Sequence, residues 1–177
     1  MSTPMNSDDN VVKEITRGGP VLLPEERVEY ESRRAIPAMA IILCLVAAAI
    51  PPLFILWSLP IFGIYYYISK KSKILVTNKR LIYSVMSLSG GYSVSSVSLS
   101  KIKHLTRNEF GAFWIGLLNR LFGTGDIQVY TKEMTDLELL QVWASDKLIN
   151  KDVALEMENI KNPKELIESI KLHIKTA

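Results

Sequence analysis

The feature that most constrains this chain is a run of 35 residues, Ala35–Ser69, without a single charged side chain. As one helix the run would be about 52 Å long, against about 30 Å for the hydrocarbon core of a bilayer. Pro51 and Pro52 divide it, because neither proline donates a backbone hydrogen bond and the second disfavours helical geometry in the first. The pattern therefore predicts two helical limbs, Ala35–Ile50 and Leu53–Ser69, joined at the proline pair.

The charges on both flanks predict how such a hairpin would be oriented. Arg33 and Arg34 precede the run, and Lys70, Lys71 and Lys73 follow it. Lys and Arg accumulate on the cytoplasmic side of membrane segments. The sequence thus predicts a transmembrane hairpin, a multi-pass location in the cell membrane, and cytoplasmic N- and C-termini. A helical hairpin buried in a soluble fold and a re-entrant loop are the alternatives.

The remaining segments divide by composition. Residues 1–20 are polar and rich in Ser, Asn and Asp at their start, which is typical of a disordered tail. Residues 21–34 would form a cytoplasmic juxtamembrane segment, and residues 70–177 a cytoplasmic domain. The domain architecture predicted here is a tail, a juxtamembrane segment, a hairpin over 35–69 and a C-terminal domain.

In the C-terminal domain, apolar and polar residues alternate over short segments, which is typical of β-strands. The segment 74–86 predicts two strands around a turn at residues 77–80. In 92–99 the alternation slips at Ser95-Ser96, which predicts a bulge or a bend. Further strands are predicted at 127–131, 137–143 and 152–158. Asn162 as N-cap, Pro163 at the first position and Glu165 as the partner in a capping box predict a final amphipathic helix.

Five strings in this order resemble the bacterial pleckstrin-homology-like family of membrane-flanked domains. They are LLPEERVEYESRR, ILVTNKRLIY, VSLSKIKHL, LLNRLFGTGDIQVYT and IKNPKELIESI. They resemble, in turn, the family's acidic-then-basic entry, its T-N-x-R strand pair, its Ile-Pro-Leu strand, its G-x-G strand and its N-P terminal helix. Ser98 stands where proline is common. The resemblance covers roughly residues 21–177.

The resemblance implies a fold and leaves the chemistry open. The predicted fold class is α+β, with a two-helix transmembrane hairpin followed by a small pleckstrin-homology-like β-barrel that the C-terminal helix caps. Such folds are interaction platforms, and fold alone does not fix function.

Charge is distributed unevenly along the chain. Residues 70–120 contain nine basic residues and one acidic residue, Glu109. Anionic lipid headgroups attract basic residues that lie near a membrane surface. The candidate lipid contacts are Arg33, Arg34, Lys70, Lys71, Lys73, Lys79 and Arg80. A solvated or structural role is the alternative for them, and no basic groove with interleaved aromatics predicts nucleic-acid binding.

A second apolar patch lies at residues 110–122. Its candidate membrane or partner contacts are Phe110, Phe113, Trp114 and Leu117, which recur at helical spacing. The alternative is that this patch closes the core of the domain.

No residue pattern predicts catalysis, a metal or a cofactor. Cys44 is the only cysteine, and His104 and His173 are the only histidines. G-T-G-D at 123–126 lacks the Lys-Ser/Thr of a phosphate loop and leads into a strand. The protein is therefore predicted not to be an enzyme and to need no cofactor.

The function predicted from the sequence is that of a membrane-anchored interaction module. It would present a pleckstrin-homology-like domain at the cytoplasmic surface for contacts with protein or anionic lipid. The expected partners are the lipid bilayer and either another protein or further copies of the chain. An accessory or assembly subunit of a larger integral membrane complex is the alternative, since Ala47-Ala48-Ala49 permits close helix packing.

Overall fold

A computed structural model describes residues 11–37, 40–42, 46, 53–108, 121–133 and 153–175. In this part of the chain eight strands form two antiparallel sheets. The elements are β1 Val11–Thr16, β2 Val28–Arg33, α1 Leu53–Lys71, β3 Lys73–Thr77, β4 Arg80–Met86, β5 Tyr92–Ser98, a 3-10 turn Leu99–Lys101, β6 His104–Asn108, β7 Thr124–Tyr130, β8 Val153–Lys161 and α2 Pro163–Ile174.

The first sheet has the strand order β1-β5-β4-β3-β2. Its strands β2 to β5 follow one another in the chain as an antiparallel meander. β1 adds to the far edge, where Val11 pairs with Val97 and Thr16 with Tyr92. The first sheet therefore joins residues 11–16 to a strand that lies 76 to 86 residues further along the chain.

The second sheet, β6-β7-β8, meets the first at one corner. An isolated bridge pairs Arg34, just after β2, with Ile160 of β8. Asn159 beside it has φ of +53°, and the register of β7 against β8 shifts at the same place. This bulge turns β8 towards the first sheet.

The core lies between the two sheets and under α2. The fully buried side chains come from both sheets and from the helix: Ile74, Val76, Leu81, Val97, Leu99, Ile127, Val129, Met157, Ile160, Leu166 and Ile170. Leu166 and Ile170 are four residues apart, so one stripe of α2 faces the core. The C-terminal helix thus closes the space between the sheets.

The structure corrects the predicted fold class, because the described part is mostly β-sheet and no described helix combines the length and the apolar character needed to cross a bilayer. α1 has 19 residues and contains Pro60, and three tyrosines and two lysines lie in its C-terminal part. Its apolar part, residues 53–64, covers only about 18 Å at 1.5 Å per residue, against about 30 Å for the hydrocarbon core. The predicted two-helix transmembrane hairpin and the multi-pass location in the cell membrane are therefore wrong. Most of the first limb, 35–50, lies outside the described residues, as does Pro51-Pro52.

The N-terminal segments belong to the first sheet. Residues 11–16 were predicted as part of a disordered tail and form β1, while residues 28–33 of the predicted juxtamembrane segment form β2. Arg33 pairs with Lys73, and the Ser69 hydroxyl donates to the carbonyl of Ala35 at 3.3 Å. Residues 36–71 are therefore an insertion within the β2–β3 hairpin, and the two ends of the insertion lie side by side.

Two local predictions differ from the structure in detail. β5 pairs in unbroken register on both sides, so no bulge occurs at Ser95-Ser96. Val94 packs in a small cluster on one face of the sheet and Val97 in the main core on the other, which explains the slipped alternation. α2 begins at Pro163 as predicted, but Asn162 is left-handed and makes no side-chain cap.

The turn at residues 77–80 joins β3 and β4, as the sequence predicts. The predicted strand at 137–143 lies outside the described residues.

Candidate functional site

The turn between β3 and β4 holds a buried ion pair. The side chain of Glu26 is fully buried and accepts two bonds from Arg80, from Nε at 2.9 Å and from Nη2 at 3.1 Å. The Thr77 hydroxyl donates to the same carboxylate at 2.8 Å, and the backbone N–H of Leu23 donates at 2.6 Å. Every oxygen of the carboxylate is therefore satisfied, as burial of a charge demands.

These contacts set the acidity of Glu26. Burial alone would raise the pKa of the carboxyl, but the bonds from Arg80, Leu23 and Thr77 together outweigh burial and hold the pKa below its usual 4.5. Arg80 also donates to the carbonyl of Val21 at 2.9 Å, and Lys79 Nζ donates to the carbonyl of Pro24 at 3.0 Å. Two candidate lipid contacts thus fasten the segment before β2 onto the sheet.

A second charged group lies where the two sheets meet. Arg34 Nη2 is 3.0 Å from Glu158 Oε2, and Asp126 Oδ1 accepts the backbone N–H of Asn159 at 2.7 Å. Burial raises the pKa of Asp126, and the carboxylate of Glu158 nearby raises it further. Burial also raises the pKa of Tyr83, whose hydroxyl accepts the N–H of Glu158. Arg34, a third candidate, therefore joins the two sheets at their corner.

The remaining candidates lie at the base of the insertion. Lys73 is 3.0 Å from Glu31, and Arg33 is 3.9 Å from the same carboxylate. Lys70 and Lys71 are exposed at the end of α1 and make none of the ion pairs found among the described residues. The structure thus does not gather the seven basic candidates into one site, and it leaves two of them on an open surface.

The exposed lysines continue an apolar surface of α1. The nitrogen of Lys70 is 5.8 Å from the ring centroid of Tyr66, and that of Lys71 is 5.9 Å from the ring centroid of Tyr67. Among the side chains of this helix that the structure describes, from residue 59 onwards, the large apolar ones that are exposed are Leu59, Ile61, Ile64, Tyr65, Tyr66 and Tyr67. Scattered exposed apolar residues are ordinary, but a contiguous set on one element marks an interaction surface.

A groove runs between α1 and the turn that joins β4 to β5. The helix contributes residues at i, i+3 and i+4 spacing, Pro60, Gly63, Ile64, Tyr67 and Ile68, and the opposite wall is Met86, Ser87 and Leu88. The groove encloses about 400 Å³. Leu88 is 80% exposed at the tip of the turn, and a Cβ placed on Gly63 would meet no atom within 4 Å. The groove is thus apolar and open, and a glycine lies in its wall.

A second cavity of about 310 Å³ opens between the first sheet and the start of β8. Lys13, Ser95 and Tyr83 lie in one cross-strand row along its wall, and Glu156 lies on the other side. Glu156 also accepts a bond from Gln128 at 3.1 Å. This cavity is polar and has lining residues of both charges, so it favours no particular class of ligand.

The two histidines contact neighbouring residues without forming a cluster of titratable groups, and some predicted positions lie outside the described residues. The ring centroid of His104 is 6.3 Å from that of Tyr130, and His173 Nδ1 lies 2.8 Å from the carbonyl of Ser169 within α2. Within the described ranges no three side chains of His, Cys, Asp or Glu form a group that could hold a metal. The predicted patch Phe110, Phe113, Trp114 and Leu117 lies outside the described residues.

Glu26 and Gly63 were not singled out from the sequence. Glu26 lies in an acidic pair, Glu25-Glu26, where either residue could face solvent, and its partner is 54 positions away. Gly63 had a signal, because a glycine inside an apolar helical pattern weakens the helix and often has a packing or binding reason. Because Gly63 lies within the uncharged run 35–69, the sequence pattern favoured a membrane-spanning helix over a binding groove at this position.

The fold and the site define a β-rich domain with an inserted helical segment whose surface is apolar and basic at one end. Comparison with known protein families, with curated proteins and with solved structures found no match to the chain.

Proposed function

We propose that the protein is a non-enzymatic interaction module in which a pleckstrin-homology-like β-domain presents the inserted helix α1 to a protein partner. The order of elements supports the first part of the proposal. A meander of four strands, a meander of three strands and a final helix follow one another. The five family-like strings overlap β2, the β3–β4 hairpin, the 3-10 turn, β7 and α2.

The exposed apolar surface of α1 carries the proposal. Large apolar side chains grouped on one helix are normally covered, because leaving such side chains in water is unfavourable by about 25 cal/mol per Å². Here Leu59, Tyr65 and Tyr66 are each about half exposed or more, and the nearby Leu88 is more exposed still. A partner that covers this surface would remove it from water.

The charged residues support a binding role over a catalytic one. Glu26 is fully engaged by Arg80 and Thr77, and Arg34 and Asp126 hold the corner of the two sheets. These groups therefore have structural partners, and none of them lines the groove beside α1.

The test is whether a stoichiometric partner depends on α1. The tagged full-length chain is expressed in its native host, crosslinked and analysed by native mass spectrometry. The variant Leu59→Ser/Ile61→Ser/Tyr65→Ser should lose the partner, since it removes apolar surface from α1. The matched control Ile15→Ser/Val21→Ser/Leu172→Ser changes exposed apolar residues elsewhere and should keep it.

Three outcomes would contradict the proposal. The α1 variant could retain the partner at wild-type stoichiometry, or wild type could form only copies of itself. Wild type could also bind phospholipid vesicles and no protein. Circular dichroism of both triple variants should show the same unfolding transition as wild type, because the exchanged side chains are exposed.

A further inference from the structure

We infer that the groove between α1 and the β4–β5 turn binds an amphipathic helix of a protein partner whose apolar face is flanked by carboxylates. This inference rests on the proposed function and names the place and the chemistry of the contact. The groove is lined by five residues of α1 and by Met86, Ser87 and Leu88, with no charged side chain among them.

The shape of the groove fits apolar side chains that project from a helix. Its volume of about 400 Å³ is near the lower end of the range for small-molecule pockets, about 300–1,000 Å³. It can take large side chains but not a whole chain segment, so the partner's backbone has to remain outside. Gly63 leaves a gap between Pro60 and Tyr67 on the same helical face, and helices pack by inserting side chains into such gaps.

The positive charge of Lys71 at the edge of the groove favours a partner with carboxylates beside its apolar face. Lys71 lies over the ring of Tyr67, and Tyr67 lines the groove. Lys71 makes none of the ion pairs found among the described residues, whereas Lys73 and Arg33 share Glu31. An approaching carboxylate would therefore meet an exposed ammonium group, without an ion-pair partner among the described residues, beside the apolar contact. A second copy of α1 contains no acidic residue and so offers Lys71 no carboxylate in either orientation, which disfavours self-association between two α1 helices through this rim.

The experiment uses two synthetic 15-residue peptides as probes. Both carry Leu at i, i+3, i+4 and i+7, and the flanking positions are Glu in one peptide and Lys in the other. Binding to the full-length protein is measured by fluorescence anisotropy at about 0.15 M salt, where charges more than about 8 Å apart are largely screened. The Glu peptide should bind wild type and the Lys peptide should bind at least about fivefold more weakly.

Two pairs of variants show whether the peptide binds in the groove or elsewhere on α1. Gly63→Leu should reduce binding of the Glu peptide at least about tenfold by filling the groove, since one buried Leu side chain corresponds to more than 1.4 kcal/mol. Gly63→Ala adds only a Cβ that meets nothing and should stay within about threefold of wild type. Lys71→Glu should reverse the preference between the two peptides. Lys70→Glu makes the same charge change beside Tyr66, which does not line the groove, and should change binding less than about twofold.

The outcomes distinguish this inference from the proposed function. Equal binding of both peptides, or a Glu-peptide affinity unaffected by Gly63→Leu, would overturn the groove and its charge preference. If the native partner is lost from the α1 triple variant but kept by Gly63→Leu, the groove inference fails and the proposed function stands. If neither variant affects the partner, both fail.

Discussion

At the scale of single residues, the chain places a carboxylate where no water reaches it. Removing a charge from water costs several kcal/mol unless hydrogen bonds and an opposite charge compensate. Glu26 has both, from Arg80 and Thr77, and these bonds lie between segments that are more than 50 residues apart in sequence. A single side chain thereby fixes the segment that leads into β2.

Glu26→Gln should lower the free energy of unfolding by about 2–3 kcal/mol at pH 7, because it leaves Arg80 without its charged partner. The folded-state pKa of Glu26 lies below its usual 4.5. The stabilisation is therefore present above about pH 4.5 and is lost as the pH falls through the lower folded-state pKa. Urea titrations of wild type and variant at about pH 7 and about pH 3 should show a difference that shrinks in acid.

The control for that series is Glu29→Gln, an exposed carboxylate on β2, which should change stability by less than about 0.5 kcal/mol. If Glu26→Gln lowered the free energy of unfolding equally at both pH values, the charge of Glu26 would not be the source of the stabilisation.

Asp126→Asn should raise the free energy of unfolding at neutral pH, whereas Glu26→Gln lowers it. Burial raises the pKa of Asp126, so the ionised carboxyl costs stability at pH values above its folded-state pKa and that cost disappears below the usual 3.8. Asn keeps an acceptor for the N–H of Asn159 without the charge. We expect a gain of about 0.5–1 kcal/mol at pH 7 that vanishes in acid, measured by thermal unfolding.

Asp126→Ala is the matched comparison, because it removes the acceptor as well as the charge. It should lose about 1–2 kcal/mol by leaving the N–H of Asn159 unpaired. A loss of stability in Asp126→Asn at neutral pH would instead mean that the charge is needed by Arg34.

At the scale of elements, α1 and α2 both carry large apolar side chains, but these side chains have different surroundings. α2 turns Leu166 and Ile170 into the core, while its outer face carries Glu168 and Lys171. In α1, the described side chains of residues 59–67 leave six large apolar residues exposed, so this stretch has no polar outer face of that kind. The apolar side chains of α2 are buried by the two sheets, whereas the exposed apolar side chains of α1 would be covered only by a partner.

Leu166→Ala should lower the free energy of unfolding by about 2–5 kcal/mol, because it opens a cavity under α2. Leu172→Ala is the control on the exposed side of the same helix and should change it by less than about 0.5 kcal/mol. Equal losses in the two variants, measured by urea denaturation, would show that α2 does not pack as described.

At the scale of the whole molecule, the helical segment is an insertion in a hairpin. Arg33 and Lys73 already face each other across β2 and β3, so the strands do not need the insertion to meet. Loop-closure entropy depends weakly on length, at about 0.6 kcal/mol per doubling. The β-domain and α1 are therefore expected to be separable.

Replacing residues 36–71 by a four-residue turn should leave a protein that unfolds cooperatively. The shorter loop favours folding slightly, and the loss of contacts from α1 to β2 and β4 opposes it. We expect a change of roughly 2 kcal/mol or less, measured by urea denaturation with far-ultraviolet circular dichroism. A chain without a cooperative transition would contradict the description of the segment as an insertion.

The local elements could be predicted because their signals are local. The β3–β4 hairpin follows from apolar runs around Thr77–Arg80, and α2 follows from Pro163 and the spacing of Leu166 and Ile170. The groove could not be predicted, because it joins α1 to a turn about 20 residues further along the chain. The capping role predicted for Asn162 was wrong, because its backbone is left-handed and its amide donates to the Glu165 carboxylate at 3.4 Å instead of accepting a backbone N–H of the helix.

The sequence by itself determined the β3–β4 hairpin, the strands β5, β7 and β8 and the final helix, and that residues 35–69 form an apolar run that needs covering. It did not determine β1 or β2, which lie in the segments predicted as a disordered tail and a juxtamembrane segment. Only the tertiary structure decided that β1 pairs with β5, that Arg80 is bound to Glu26, and that α1 lies beside a sheet with an open groove. The physical reason is that periodicity and capping act between near neighbours, whereas pairing across the chain depends on the assembled sheets. The hydrophobic effect is also non-directional, so a run of apolar residues does not state what covers it.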